Sequence, residues 1–594
     1  MKLKYISSIA LGLGMAVSSC DVTDLSPLDS MTDASYWHTT TDLELYANGL
    51  LGNLGSASAW LDGSSDLFIY QQPQKFLFNE VTINDYTGNW SWGTIRSCNY
   101  FLDRYDQVEG EQAVINQYVG EVRFIRALQY YSKIQQFGDV PWIEHEVSTT
   151  DDDILFGPRD ARNYVLSKII EDLQFAAQWC LDDQGKSGRP TGDAALQQLA
   201  RVCLYYGTYM KYHNEPESNG ISSTYLLQMA RDASQQIMST GRYAIVKGTN
   251  SFGTTNYPGY PLYYQNQFVQ ESLQGNREAV LPRYYVENLV MHGVGRQAGG
   301  GGDQGLGLSK AFIEMFLMAN GKPIYNEGSG YQGDNTIFEE VIDRDPRLWQ
   351  IIATNCRPQY SANISDPSQE VWAWGSTISP TTGNTGYPCE KFHSSDFNQQ
   401  IANHSFFDWF LYRYAEVLLI NAEANYELGT CTQTVLDNTI NLLRDRVEMA
   451  HLTVNPEADV NAYDYGYPVD PLLYEIRRER AIELINEGFR LDDLKRWNAF
   501  KLLANPMTML GVRVTPDSEA FYAQFNVKFG PDARMVYEYN GKKYLQLYQD
   551  DYMNNLQSRV WTQDDRRWLY PIPLAQLRLN PNLGQNPGWP TGTN

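Results

Sequence analysis

The sequence predicts a mainly α-helical protein. Degenerate tetratricopeptide-like helical hairpins form a right-handed superhelical scaffold, with a large irregular, loop-rich insertion and minor β structure. Three observations predict it. Apolar residues recur three and four apart over several long stretches, the period of one helix face. These stretches come in pairs joined by a glycine or a polar link, the pattern of antiparallel helical hairpins. Between two sets of pairs, from about Lys247 to Asn403, the chain is rich in Gly, Pro, Asn, Ser, Tyr and Trp and helical spacing fades.

In chain order, Lys2 and Lys4 precede an apolar run from Ile6 to Val17 and then Ser18-Ser19-Cys20. A basic head, a short apolar run and small residues are the parts of a secretory signal, and the run is too short to span a bilayer as a helix. A cysteine directly after two serines resembles bacterial lipoprotein signals. That resemblance implies removal of residues 1–19, acylation of Cys20 and a membrane anchor of several acyl chains, each buried methylene adding roughly 0.8 kcal/mol. The bland alternative is an ordinary secretory signal with a chance cysteine. Residues 20–594 read as one large domain, with about 95–245 and 405–503 as the hairpin scaffold.

Within the scaffold, Glu121 to Phe137 carries Phe124, Leu128, Tyr131 and Gln135 on one side, with Tyr164 to Trp179 as its neighbour. Pro190-Thr191 precedes a helix with Leu196, Ala200, Cys203 and Gly207 on one face. Its partner carries Leu226, Ala230, Ala233 and Ile237 and ends at Gly241. Phe407 to Leu428 reads as a helix capped by Asp408 and stopped by Gly429, followed by a stripe at Leu436, Ile440, Leu443 and Val447. Small residues such as Ala415, Ala422 and Ala230 permit close helix approach, but the strict 34-residue repeat is absent. In the insertion, about 247–403, only Leu308 to Met318 is clearly helical, and Gly299 to Gly302 marks a loop. Residues 505–594 are mixed, with short strand-like and turn segments.

Composition narrows function. The formal charge of −24 repels nucleic acid, whose binding needs basic contacts to phosphate. It suits a neutral or cationic ligand, or plain solubility. Beyond Cys20, the cysteines at 98, 180, 203, 356, 389 and 431 form no C-x-x-C pair and no Cys/His cluster, so no zinc site is predicted. Aromatic content is high, with 41 Tyr and 14 Trp. Such side chains offer a flat apolar face and a polar edge, which suits carbohydrate as well as packing between helices.

Enzyme signatures are absent: the chain has no H-E-x-x-H, no G-x-S-x-G and no P-loop. Two G-x-G-x-x-G runs, Gly300–Gly305 and Gly328–Gly333, lie outside any strand–turn–helix context. Asp151-Asp152-Asp153 lacks EF-hand spacing and reads as a solvated acidic turn. No catalytic residue, cofactor or metal site is assigned.

Residues 474–498 read YEIRRERAIELINEGFRLDDLKRWN. Glu475, Glu479, Glu483 and Glu487 fall four apart on one stripe, which would destabilise an isolated helix. Arg477, Arg478, Arg480, Arg490, Lys495 and Arg496 can neutralise them, so a partly buried ion network is expected. With the lipoprotein-like start, this stretch resembles the SusD/RagB family of outer-membrane lipoproteins. IRSCNYFLDR (95–104), EVRFIRALQYYSKIQQFGDVPW (121–142), RPTGDAALQQLARVCLY (189–205), DRDPRL (343–348), GYPCEKF (386–392), YRYAEVLLINAEANYELG (412–429) and LNPNLGQNPGW (579–589) match in family order.

The resemblance implies a non-catalytic, cell-surface glycan-binding lipoprotein. It would act as a lid on a SusC-like TonB-dependent outer-membrane transporter, with the helical repeats toward the barrel and the irregular region toward the ligand. The RagB branch offers the alternative of peptide uptake. Family members often carry a stacking Trp just before the IRSCN stretch, which makes Trp90 or Trp92 the lead ligand contact. Asn89 and Tyr86 stand beside them. Tyr284, Tyr285, Trp372 and Trp374 of the insertion, and Trp60 and Asp66 of the preceding Gly/Ser-rich loop, are further candidates. Each combines or pairs an aromatic face with a polar edge, the mixture that holds a sugar ring and its hydroxyls.

Overall fold

Helices begin where the sequence supplies a cap and pack where their apolar stripes meet. The computed structural model describes residues 36–591 apart from 60, 71, 184–185, 249–250, 253–254, 257–262, 299–306, 353–384, 395, 524–527 and 531–534. Cys20, Trp60, Trp372, Trp374 and Gly299–Gly302 therefore lie outside the described residues. The scaffold contains α1 (Gly93–Leu102), α2 (Gln112–Phe137), α3 (Arg162–Trp179), α4 (Gly192–His213) and α5 (Ser223–Ser239). The Thr191 hydroxyl accepts the Ala194 N–H at 3.1 Å to open α4, and Ser222 does the same for Tyr225 at 3.2 Å in α5. Each helix packs on the next, α1 on α2 through to α4 on α5. Gly207 lets α4 and α5 approach, since a Cβ there would meet Leu227 at 2.9 Å.

The expected helix from Phe407 begins later. Trp409–Arg413 is a strand, β2, paired antiparallel with β1 (Ala279–Arg283), and only then does α6 (Tyr414–Glu427) start and pack on α5. Asp408 is not a cap: its carboxylate accepts the N–H groups of Leu273 and Tyr285, both at 2.8 Å. It fastens the insertion to the scaffold. Gly429 does end the helix, with φ +71. The following stripe divides into two short helices, Gln433–Asp437 and Ile440–Arg446.

Residues 474–498 form α7 (Pro471–Glu483) and α8 (Arg490–Arg496), separated by a turn in which Asn486 and Gly488 take positive φ. Of the acidic stripe, Glu475, Glu479 and Glu483 are buried and Glu487 is partly buried. Glu483 accepts from Arg413 at 2.8 Å and from Arg347 at 3.1 Å, and also pairs with Arg446. Glu479 accepts from Arg347 at 2.5 Å and Arg444 at 3.0 Å, and Glu487 from Arg413 and Lys391. The main partners thus come from distant segments and not from the motif itself. Arg477 sits among rings instead, 4.5 Å from Trp497, 4.8 Å from Tyr212 and 5.1 Å from Tyr465. Its nearest carboxylate, Glu427, lies at 3.8 Å.

One apolar core runs through the scaffold helices. A second is built largely by the insertion, from Leu308, Phe312, Phe316, Leu348, Trp349, Tyr387 and Phe392 with Trp409. The insertion is thus irregular in backbone but has its own interior. A third core joins α8 to the C-terminal part, where β3 (Leu510–Arg513), β4 (Val536–Tyr539) and β5 (Lys542–Gln546) pair antiparallel in the order β3-β5-β4. Cys98, Cys180, Cys203 and Cys431 are free thiols. Among the described residues, no helix is long and apolar enough to cross a membrane.

Candidate ligand-binding site

The segment before α1 is ordered by its own capping chemistry. The Asp85 carboxylate accepts the Thr82 N–H at 2.6 Å and hydroxyl at 2.8 Å, opening a 3-10 turn over Ile83–Trp90. These hydrogen bonds hold the Asp85 carboxyl below its ordinary range. The turn delivers Trp90 and Trp92 to one end of a groove of about 650 Å³. Trp90 forms the inner wall, 9% exposed, with its ring edge-on to Phe137 at 4.8 Å. Trp92 is half-buried, edge-on to Trp90 at 5.3 Å, with the Lys133 ammonium 5.5 Å from its ring. Lys133 donates to the Asn89 carbonyl at 2.6 Å, and burial lowers its pKa to about 8.

The facing wall, Pro141 to Thr149, is held by a buried polar chain. Arg126 donates to Asp172 at 2.8 and 2.9 Å and to Asn99 Oδ1 at 3.0 Å. Asn99 Nδ2 then donates to the carbonyls of Ile143 at 2.7 Å and His145 at 3.3 Å. The outer lip is Ile154, Leu155 and Phe156 opposite Leu579, the last two 48% and 66% exposed. Asn580 Nδ2 donates to the Gly157 carbonyl at 2.8 Å and Asn582 Nδ2 to that of Phe156 at 2.7 Å, stapling the C-terminal loop to the lip. The result is a preformed channel with an indole on one side, aliphatic side chains along it, and Arg96, His145, Gln576 and Asn580 as polar groups. That mixture can bind and orient a ligand with an apolar face and a polar edge.

Of the residues singled out in the sequence, the groove gathers Trp90 and Trp92. Asn89 is exposed but lies beside the groove, donating to Gln136 Oε1 at 2.8 Å. Tyr86 is a packing residue: its ring stacks on Tyr570 at 4.2 Å and meets Trp589 edge-on, and burial pushes its hydroxyl up. Asp66 is buried in a two-bond pair with Arg490, at 2.8 and 2.7 Å, so its oxygens are spent inside the fold. Tyr285 is buried against His292, and its hydroxyl accepts the Ala57 N–H at 2.8 Å. Tyr284 is half-buried near Gly188 and does not line the groove. No described residue of 247–403 lines it either; the 141–156 segment and the C-terminal loop do. Sequence reasoning missed Ile143, His145, Phe156 and Leu579. The run Ile154-Leu155-Phe156 directly after three aspartates was the one available signal for a lip.

The stacked helical hairpins thus carry an apolar-walled groove beside Trp90 and Trp92. The comparisons with known proteins give the family. The profile described as SusD family matches residues 265–589, and that described as starch-binding associating with outer membrane matches 48–204. The chain belongs to the SusD family. It is similar to SusD-like protein P38 of Formosa agariphila, 24% identical over 535 residues and covering 86% of this chain and 94% of the relative. Over a shorter stretch of 184 residues it is 27% identical to the starch-binding protein SusD of Bacteroides thetaiotaomicron, covering 24% of this chain and 32% of that one. Among solved structures it is similar to a SusD-like carbohydrate binding protein of Bacteroides fragilis. There the TM-score is 0.64 at 21% identity, covering 92% of this chain and 99% of that one.

Proposed function

We propose that this chain is a non-catalytic, glycan-binding lipoprotein of the cell surface that captures oligosaccharide or polysaccharide and delivers it to a TonB-dependent outer-membrane transporter of the SusC type. The observation that carries the ligand class is Trp92, half-buried in the wall of a preformed groove with polar groups around it. An indole covers the CH side of a sugar ring, and amide, imidazole or guanidinium groups hold its hydroxyls. The descriptions starch-binding and carbohydrate binding attached to relatives support the same class. Anchoring through acylated Cys20, outward orientation and handover to a barrel rest on the family resemblance and the lipoprotein-like start. Replacement of Cys20 by Ala should release the protein from the membrane fraction, and unchanged membrane partitioning of the variant would remove the anchor.

Peptide uptake is the second reading, and one observation favours it. Ile154, Leu155, Phe156 and Leu579 make a lip more apolar than sugar binding requires. Titration of the mature chain with a polysaccharide panel and with a peptide pool separates the two. Saturable glycan binding supports the proposal, and peptide binding alone replaces it. Release of reducing ends from the bound glycan would overturn the non-catalytic assignment.

A further inference from the structure

A second cavity, of about 620 Å³, opens between the insertion and the C-terminal part and shares no lining residue with the Trp92 groove. Its volume falls within the range of small-molecule sites, about 300–1,000 Å³. Four separate segments build it: Glu314 and Tyr325, the stretch 460–464, the turn 501–507, and the β4–β5 hairpin with Tyr539, Asn540 and Tyr544. Glu314 is the fixed point of the wall. The Tyr325 hydroxyl donates to its Oε1 and the Tyr463 hydroxyl to its Oε2, both at 2.8 Å. With each carboxylate oxygen engaged, neither phenol can swing without stranding a buried acceptor, so the two rings are held in place. Tyr325 remains 37% exposed. Tyr539 stands at the hairpin tip, just before the Asn540-Gly541 turn, where both residues take the positive φ of a tight two-residue loop.

The charges of the lining identify the ligand class. Lys501 pairs with Asp464 at 2.9 Å, Glu314 is capped by phenols, and Lys542 faces Asp334 at 3.6 Å. The lining itself holds two cations, Lys501 and Lys542, and two carboxylates, Glu314 and Asp464, which gives no net preference for an anion or a cation. What is left to recognise a ligand is ring faces together with the exposed amides of Asn461 and Asn540, each both donor and acceptor. Held phenol rings with amides at the rim fit a neutral polyhydroxyl molecule. We propose that this cavity is a second saccharide site, separate from the Trp92 groove, that takes a short neutral oligosaccharide. The proposal rests on the glycan reading above and extends it: two sites on one chain would hold two stretches of a long glycan and raise its apparent affinity through effective concentration.

The test is calorimetric titration of the full mature chain with neutral hexasaccharides of β-1,4-glucan, α-1,4-glucan, β-1,4-mannan and β-1,4-xylan. Three variants are compared with the unaltered chain. Asn461→Trp adds bulk at an exposed rim position, Tyr539→Ala removes a ring from the hairpin surface, and Trp92→Ala disables the first groove. The inference expects Trp92→Ala to keep one binding event per chain with at least one of these sugars. It expects Asn461→Trp and Tyr539→Ala each to weaken that event at least tenfold. Titrations of Asn461→Trp and Tyr539→Ala that match the unaltered chain, with all binding lost in Trp92→Ala, overturn the second site and leave the glycan reading standing. Silence of the unaltered chain toward all four sugars overturns both.

Discussion

Arg126 grips Asp172 with two hydrogen bonds, of 2.8 and 2.9 Å, in the buried seam between α2 and α3. The same guanidinium fixes Asn99, and Asn99 fixes the backbone of the groove wall at Ile143 and His145. The contact that joins two scaffold helices therefore also shapes the site.

Arg126→Met should destabilise the chain by about 3 kcal/mol, the lower end for breaking a buried pair, because Arg123 still faces Asp172 at 3.8 Å. Urea unfolding followed by circular dichroism measures it. A loss below about 1 kcal/mol would show that the pair is not needed to hold the seam.

The arginine network predicts acid sensitivity. Burial pushes Glu483 up, but Arg446, Arg413 and Arg347 outweigh it and hold the carboxyl well below its ordinary value of 4.5. Glu479 and Glu487 are lowered in the same way, by Arg347 and Arg444 and by Arg413 and Lys391. As pH falls, the unfolded chain takes up these protons first. The stabilisation is present above about pH 4.5 and is lost progressively below it. The urea midpoint should fall steeply from pH 5 to pH 3, and Glu483→Gln should flatten that slope while lowering the midpoint at pH 7.

Asp62 has the opposite sign. It is fully buried, with Oδ1 accepting the Arg490 N–H at 2.9 Å and Oδ2 without a hydrogen-bond partner among the described residues. Burial raises its pKa from 3.8 to about 6. Its stabilising contribution is complete below pH 3.8 and is lost as pH rises through about 6. Asp62→Asn should therefore raise stability at pH 8 by about 2 kcal/mol and make no difference near pH 4. Thermal melts at the two pH values check this, and a variant less stable at pH 8 would contradict it.

Phe156 should contribute to affinity rather than to folding. It is half-exposed on the lip, so Phe156→Ala should shift the melting temperature little while weakening ligand binding about tenfold, a loss of about 1.4 kcal/mol. Unchanged affinity would move the ligand away from this lip.

The scaffold was largely legible in the sequence because its signals are local. Thr191 caps α4, Gly429 stops α6, and the apolar stripes of α2 to α5 face the interior as their spacing implied. The Thr82–Asp85 capping box and the two tryptophans after it are likewise neighbours in the chain, and that part of the site could be anticipated. The rest depends on partners far away in sequence. Trp409–Arg413 has helical spacing but is drawn into a strand by pairing with Ala279–Arg283. Asp66, Tyr86 and Tyr285 have the chemistry of sugar contacts, yet Arg490, Tyr570 and the Ala57 amide claim them. Leu579 lines the groove on a C-terminal loop that Asn580 and Asn582 tie to residues 156–157 and Arg159 ties through Leu583 and Asn586.

Under the glycan proposal, Trp92 forms the carbohydrate-contacting face of the groove. Isothermal titration of the unaltered chain and of Trp92→Ala, with a saccharide the unaltered chain binds, tests it most directly. Binding at the groove is expected to weaken at least tenfold, by about 1.4 kcal/mol or more, in a variant that circular dichroism shows to be folded at the titration temperature. Equal affinity of the two proteins at every site would contradict it.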